Sequence, residues 1–396
     1  MINADMGNSI VVVRKDDKIM TALFKEKELV TIGLESTGKE ERVGDIFIGK
    51  VQNIVKNIKG AFVEIGNKRV CFLPLEERIS PVFCDGKERD IRVGDELLVQ
   101  ISKETRGNKA PLATAGLTLT GRLLVLAKGK ENIGVSSKIS DEGLRENLKE
   151  VVRPFLGDGY GFIVRTNAAT ATSDDLEKEA EALKTQYEKI VREKIHLTCF
   201  SKIYSAPAEF IMEVRNGYSF EVDSILTDDR EIYEGIKEYL DLGPEADREK
   251  LSFYDDKNIS LSVLYGLESK LQKALQDKVW LDSGAYLVIQ PTEALVSIDV
   301  NTGKAIVGKT NTEETFFKVN CEAAVEIAAQ LRLRNLSGII IVDFIDMKKE
   351  EHRKQLLNVL KDELAKDHIT TRLIDMTPLG LVEITRQRIR KSIYEL

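Results

Sequence analysis

Two aspartates stand out in this chain of 396 residues, Asp299 and Asp343. Ala294-Leu-Val-Ser-Ile-Asp-Val300 reads as a strand. Gly338-Ile-Ile-Ile-Val-Asp-Phe-Ile345 reads as another, nearly all apolar, as expected for a strand buried on both faces. Between them, Asn311 is placed to cap a helix whose first turn carries Glu313 and Glu314. That helix has apolar residues at Phe317, Cys321, Ala324, Ala328 and Leu331, and it closes at Ser337-Gly338. Strand, helix and strand make a right-handed crossover, which sets its two strands parallel and often adjacent. Each aspartate lies near the carboxyl end of its strand. Adjacent strands are about 5 Å apart, so the two carboxylates can converge at the edge where open α/β sheets bind ligands. Asn301 points to the same face as Asp299. Two carboxylates and an amide oxygen are hard donors suited to Mg²⁺ or Mn²⁺. Without a cation, carboxylates so close would repel until one protonated. The competing reading is that both aspartates cap turns or pair with Lys or Arg. In its favour, isolated strand-end aspartates are common, and Asp346 lies only three residues past Asp343.

A second set of residues suits nucleic acid. Phe62 and Phe72 fall on successive strands and could form a stacking platform. Arg106-Gly-Asn-Lys109 follows a strand and could meet phosphates. Aromatic stacking beside basic residues is how OB-type barrels hold single strands. The alternative is a pair of core phenylalanines. Arg165-Thr166 ends a strand over residues 161–165. A guanidinium fork beside a hydroxyl suits a terminal phosphate, although a surface arginine is the plainer reading.

Other chemistries lack support. The histidines are His196, His352 and His368, and none sits in a nucleophile motif, so triad chemistry is not indicated. No GxxxxGK[ST] sequence occurs. The cysteines Cys71, Cys84, Cys199 and Cys321 are far apart with no CxxC pair, which suggests reduced thiols in a cytoplasmic protein rather than disulfides or a thiolate zinc site. No stretch approaches the roughly 20 apolar residues that span a bilayer, and the first residues do not resemble a secretory signal. Lys and Arg number 58 against 65 Asp and Glu, a net charge of −7. That total argues weakly against a nucleic-acid partner, because a local patch can be basic within an acidic whole.

These residues need elements to position them. The length suggests two or three domains. Residues 9–14 and 18–24 form a hairpin that joins a sheet supplied by a later segment. Short strands separated by Gly66-Asn67, Asp85-Gly86 and Gly94-Asp95 give residues 36–120 an all-β character, a small barrel or sandwich. Residues 121–200 mix strands with a helix over 174–192. Further strands are expected over 208–222, and helices over 228–240 and 261–271.

Together these residues identify a resemblance. Ser297-Ile-Asp-Val-Asn-Thr-Gly-Lys304 and Gly338-Ile-Ile-Ile-Val-Asp-Phe-Ile-Asp-Met347 closely resemble the catalytic signatures of the ribonuclease E/G family. Gly380-Leu-Val-Glu-Ile-Thr-Arg-Gln-Arg388, Gly60-Ala-Phe-Val-Glu-Ile-Gly66, Phe72-Leu-Pro-Leu75 and Lys103-Glu-Thr-Arg-Gly-Asn-Lys109 resemble it too, in order along the chain. The resemblance implies an α+β and α/β multidomain fold. A split RNase H-like subdomain would comprise residues 1–35 and 201–278. An OB-fold RNA-binding barrel would span 36–120, a 5′-sensor subdomain 121–200 and a DNase I-like catalytic subdomain 279–396. It implies an Mg²⁺-dependent endoribonuclease, cutting single-stranded A/U-rich RNA in rRNA processing and mRNA decay and leaving 5′-phosphate products. Asp299 and Asp343 match its metal-binding aspartates and Asn301 the associated asparagine. Phe62, Phe72 and Lys109 match RNA-gripping positions, with Arg106 beside them. Arg165 and Thr166 match a 5′-monophosphate pocket, flanked by Gly121 and Val125. Thr370 stands where the family has an arginine supporting that pocket, with His368 and Arg372 nearby. The chain ends at Leu396, before the family's CPxC zinc link and dimerisation segment, so no zinc and a monomer or weak dimer are expected. The rival reading is an RNA-binding protein of this fold that cuts poorly.

Overall fold

The structure is a computed structural model describing residues 7–38, 41–75, 79–103, 110–194, 196–217, 222–241, 245–305, 312–389 and 391–395. The chain folds as two units. One comprises Met1–Thr37, Phe220–Glu234 and Lys250–Leu396, the other Gly38–Ser219 and Gly235–Glu249.

The first unit contains two sheets. Strands Ser9–Lys15, Lys18–Lys25 and Glu28–Ser36 form an antiparallel meander. The later segment it needs is Ser224–Thr227, which pairs in parallel with Ser9–Lys15 and carries Leu251–Phe253 on its other edge. The single helix expected over 261–271 is instead two, Leu261–Leu264 and Leu267–Ala274. They break at Gly266, whose φ of 59° lies in the left-handed region that glycine enters without a Cβ clash.

The second sheet has six strands, in the order Lys278–Trp280, Tyr286–Pro291, Val296–Asn301, Gly338–Asp343, Leu381–Arg386 and Thr371–Met376. The crossover is present: Val296–Asn301 and Gly338–Asp343 run parallel as neighbours, joined through helix Thr312–Leu333, while the other pairings are antiparallel. Leu287, Ile289, Val296, Ile298, Ile340, Val342, Val382 and Ile384 share one buried core with residues of helices Thr312–Leu333 and Glu350–Ala365. Within each strand these residues alternate, and across the ladders they are partners, so both helices cover the same face. The expectation that residues 338–345 form a strand buried on both faces is therefore overturned. Only Ile340 and Val342 of that strand are buried, and Ile339 on the opposite face is 53% exposed. An unbroken apolar run looks the same whether one face or two is covered; where the helices pack decides.

In the second unit, strands Ile46–Val55, Gly60–Glu64, Val70–Pro74, Leu112–Thr114 and Glu96–Lys103 pair in that order. Ile46–Val55 also pairs with Glu96–Lys103, which closes a five-stranded barrel. A separate sheet joins Ile133–Val135, Tyr160–Val164, Leu124–Lys128 and Thr118–Thr120. Helix Ser173–Glu193 buries Leu176, Ala180, Leu183, Tyr187 and Ile190 in the core beneath it, and Thr172 and Asp175 form a capping box at its start. Among the described residues of 208–222, where strands are expected, none is found; residues 218–221 lie outside the described residues. Glu209–Gly217 is a helix, with Phe210, Val214 and Gly217 buried at helical spacing.

Candidate active site

The strand Val296–Asn301 alternates strictly. Val296, Ile298 and Val300 face the helices, so Ser297, Asp299 and Asn301 share the open face. On the next strand Ile340 and Val342 are buried, which puts Asp343 on that same open face. In the parallel ladder Asp299 and Asp343 are direct partners. The carboxylates thus share the exposed sheet face as well as the carboxyl ends of the strands. Asn301 donates its amide to Asp299 Oδ2 at 2.7 Å, which fixes that carboxylate beside its neighbour. Burial lifts the Asp343 carboxyl above its ordinary range, and the charges of Asp299 and Asp346 lift it further. A divalent cation would relieve that repulsion.

The donor set fits such an ion. Two carboxylates on an open surface leave coordination positions for water, as Mg²⁺ prefers. Among the described residues no three His, Cys, Asp or Glu side chains gather as a protein-only metal cage.

The loop after Asp343 has a support that the sequence reading missed. Asn320, fully buried in helix Thr312–Leu333, donates from Nδ2 to the Ile345 carbonyl at 2.7 Å and accepts the Ile345 N–H on Oδ1 at 3.0 Å. Glu313 on the same helix accepts the N–H groups of Lys348 and Lys349, which hold its carboxyl below the ordinary range. One signal was available: Asn320 and Gln330 are the two amides among the otherwise apolar buried residues of that helix.

Arg386, within the last family-like motif, is structural. It is 3% exposed; Nε donates to Asp367 Oδ2 at 2.7 Å, and Nη1 to Asn335 Oδ1 and the Leu336 carbonyl.

The barrel presents Phe62 and Phe72 outward. Ala61, Val63, Cys71 and Leu73 fill the core, while Phe62 and Phe72, opposite one another in the ladder, are half-exposed. Their rings meet edge to face with centroids 5.6 Å apart. Gly60 makes room for them, since a Cβ there would lie 2.2 Å from the Phe72 ring. Arg106 and Lys109 lie outside the described residues.

Arg165 and Gly121 also come together. The Arg165 guanidinium donates to the carbonyls of Gly121 at 2.8 Å and Arg122 at 3.3 Å, and to Asn216 Oδ1 at 3.2 Å. Burial, and then the nearby Arg215 charge, lower its pKa to about 10. The same loop is held from below by Glu179, which accepts the N–H groups of Leu123 and Leu124, both at 2.8 Å. Glu179 was not singled out in the sequence, although it stands among the buried Leu176, Ala180 and Leu183. A Cβ on Gly121 would strike its carboxylate. Val125 follows on the adjoining strand, half-buried opposite Ile163. Thr166 is exposed and shares a 2.9 Å hydrogen bond with Ser136. Thr370 precedes the edge strand of the six-stranded sheet, where its carbonyl accepts the Gln387 N–H.

Comparison with known proteins agrees with both halves of this picture. Residues 40–113, which include the barrel, match the S1 RNA binding domain, and residues 118–389 match the Ribonuclease E/G family. Ribonuclease G of Haemophilus influenzae is 38% identical over 383 residues, covering 94% of this chain and 78% of that protein. Ribonuclease G of Escherichia coli K12 is 37% identical over 376 residues, 92% of this chain and 76% of that protein. Ribonuclease E of Haemophilus influenzae is 32% identical over 98% of this chain, which spans 42% of that longer protein. With a single family covering most of the chain, carboxylate pair included, and relatives similar almost end to end, the chain belongs to the ribonuclease E/G family.

Proposed function

We propose that this endoribonuclease cuts single-stranded, A/U-rich RNA with Mg²⁺ held by Asp299 and Asp343, and that it acts in rRNA processing and mRNA decay. The observation that carries the reading is the pairing of Asp299 with Asp343 on an uncovered sheet face, with Asn301 bonded to the first. The chemistry the ion supplies when bound is activation of water and stabilisation of charge on the departing oxygen, leaving a 5′-phosphate product. The chain's own residues do the rest. Asn301 orients the Asp299 carboxylate, and Asn320 and Glu313 hold the loop that follows Asp343. Asp299 and Asp343 are both exposed on that face, open to an extended strand.

In this reading the barrel grips single-stranded RNA, bases stacking on Phe62 and Phe72 and phosphates meeting Arg106 and Lys109. Arg165, Thr166, Gly121 and Val125 form the sensor for a 5′-monophosphate. The sheet built from residues 9–36, 224–227 and 251–253 is the RNase H-like subdomain, and the six-stranded sheet with its two helices is the DNase I-like one. The unpaired cysteines suit a reducing cytoplasm. The deciding experiment is cleavage of a 5′-monophosphorylated A/U-rich oligonucleotide in Mg²⁺, with EDTA as control. Cleavage that is lost in EDTA and restored by added Mg²⁺ supports the reading; RNA binding with no cutting in Mg²⁺ overturns it.

A further inference from the structure

The chain has one tryptophan, Trp280, and it is 59% exposed. It lies on the edge strand Lys278–Trp280 of the six-stranded sheet. There Val279 turns toward the core, leaving Lys278 and Trp280 on the open face. Trp280 is the ladder partner of Tyr286, and Tyr286 is the ladder partner of Asn301. One row across the open face therefore reads Trp280, Tyr286, Asn301. The adjacent row on that face reads Lys278, Val288, Asp299, Asp343. The rings of Trp280 and Tyr286 are tilted with centroids 5.2 Å apart. The Lys278 ammonium sits over both, 3.5 Å from the Tyr286 ring centre and 4.2 Å from that of Trp280. Gly303 backs the tyrosine, since a Cβ there would stand 3.3 Å from its ring and 2.3 Å from the Gly284 carbonyl.

We propose that Trp280 and Tyr286, topped by Lys278, are a base-stacking platform that seats a nucleotide flanking the phosphate cut at Asp299 and Asp343. The proposal rests on the endoribonuclease reading and adds positioning residues that the motifs do not contain. Three features favour a nucleotide as the occupant. An exposed aromatic face accepts any base by stacking. An ammonium over such a face meets the phosphate that accompanies the base. Strands are spaced about 4.8 Å apart, so the rings stand one and two strands from Asn301, within reach of a nucleotide next to the scissile bond. A cross-strand aromatic pair that only stabilised the sheet edge would need neither the exposed indole face nor a place in the row of Asn301, next to the row of the carboxylates.

The sole tryptophan makes the test direct. Wild-type protein is mixed rapidly with an A/U-rich single-stranded RNA in Mg²⁺, and indole fluorescence is recorded before the first turnover. RNA binding is followed in parallel by anisotropy of a labelled strand. Saturable quenching that tracks binding is expected. Trp280→Ala should raise KM about ten-fold or more with a smaller change in kcat, and Trp280→Phe should restore most of it. Unchanged fluorescence at saturating RNA, or an unaltered KM in folded Trp280→Ala, overturns the proposal. So does a change in the mass measured by light scattering in place of a change in KM, which would mark a contact between copies of the chain. Quenching by RNA in a protein that never cuts would leave the platform standing and remove the endoribonuclease reading instead.

Discussion

The Asn320 carboxamide bonds the backbone of Ile345 twice, once through each of its ends. The helix and the loop after Asp343 are thereby fastened two residues beyond that aspartate. Asn320→Ala would strand the part-buried N–H and carbonyl of Ile345, at roughly 1–3 kcal/mol for the two together. The expected outcome is a lowered denaturation midpoint and a reduced kcat with little effect on RNA affinity. Asn320→Ala with wild-type kcat would show that the loop keeps its place unaided.

Asp299→Asn and Asp343→Asn should each abolish cleavage while leaving the fold and RNA binding intact, because each halves the carboxylate charge offered to the cation. Calorimetric titration with Mg²⁺ should show lost binding in both variants. Full activity in either one would exclude these carboxylates from the reaction.

Phe62→Ala and Phe72→Ala should weaken single-strand binding by roughly 1–3 kcal/mol each. Both rings stand outside the barrel core, so thermal melts should stay close to wild type. A cooperative loss of folding would show that the rings serve packing rather than RNA.

Arg165→Ala should do two things at once. It should reduce the preference for 5′-monophosphate over 5′-hydroxyl RNA, and it should lower the melting temperature, because the Gly121 and Arg122 carbonyls lose their donor. Arg165→Lys keeps the charge but not the fork, and should recover little of either. An unchanged preference in a folded variant would make Arg165 a loop support only.

The Asp367–Arg386 pair gives a pH dependence. Burial by itself would raise the Asp367 carboxyl; the Arg386 charge, its hydrogen bond and the Ile369 N–H outweigh this and hold it below the ordinary range. A carboxyl whose pKa falls on folding stabilises fully above its unfolded value of about 3.9 and loses that contribution as pH drops through the folded value. Asp367→Asn leaves Arg386 buried and uncompensated, at about 3–5 kcal/mol. Urea melts from neutral to acidic pH should show wild-type stability falling toward the variant's at the acid end. Parallel curves would mean that the pair does not titrate with folding.

The amino-acid sequence by itself determined the chemistry and much of its support. Alternation in Ser297-Ile-Asp-Val-Asn301 and the crossover through residues 312–333 sufficed to bring Asp299 beside Asp343, because strand period and crossover handedness are local and steric. Glycine-punctuated short strands sufficed for an all-β segment, a barrel or a sandwich, and the pairing of Ile46–Val55 with Glu96–Lys103 decided for the barrel. Only the tertiary structure decided which faces are covered. Ile339 and Ile341 read as buried, yet both helices pack on the opposite side. Arg386 stands in a family-like motif whose spacing says nothing of its burial, and its salt bridge with Asp367 is formed inside the core. Asn320, Glu179 and the row from Trp280 to Asn301 acquire their roles from partners far along the chain, or from strands whose pairing no local pattern prints. Burial and hydrogen-bond partnership are properties of the packed whole, and a residue's type and spacing set only what it is able to do once placed.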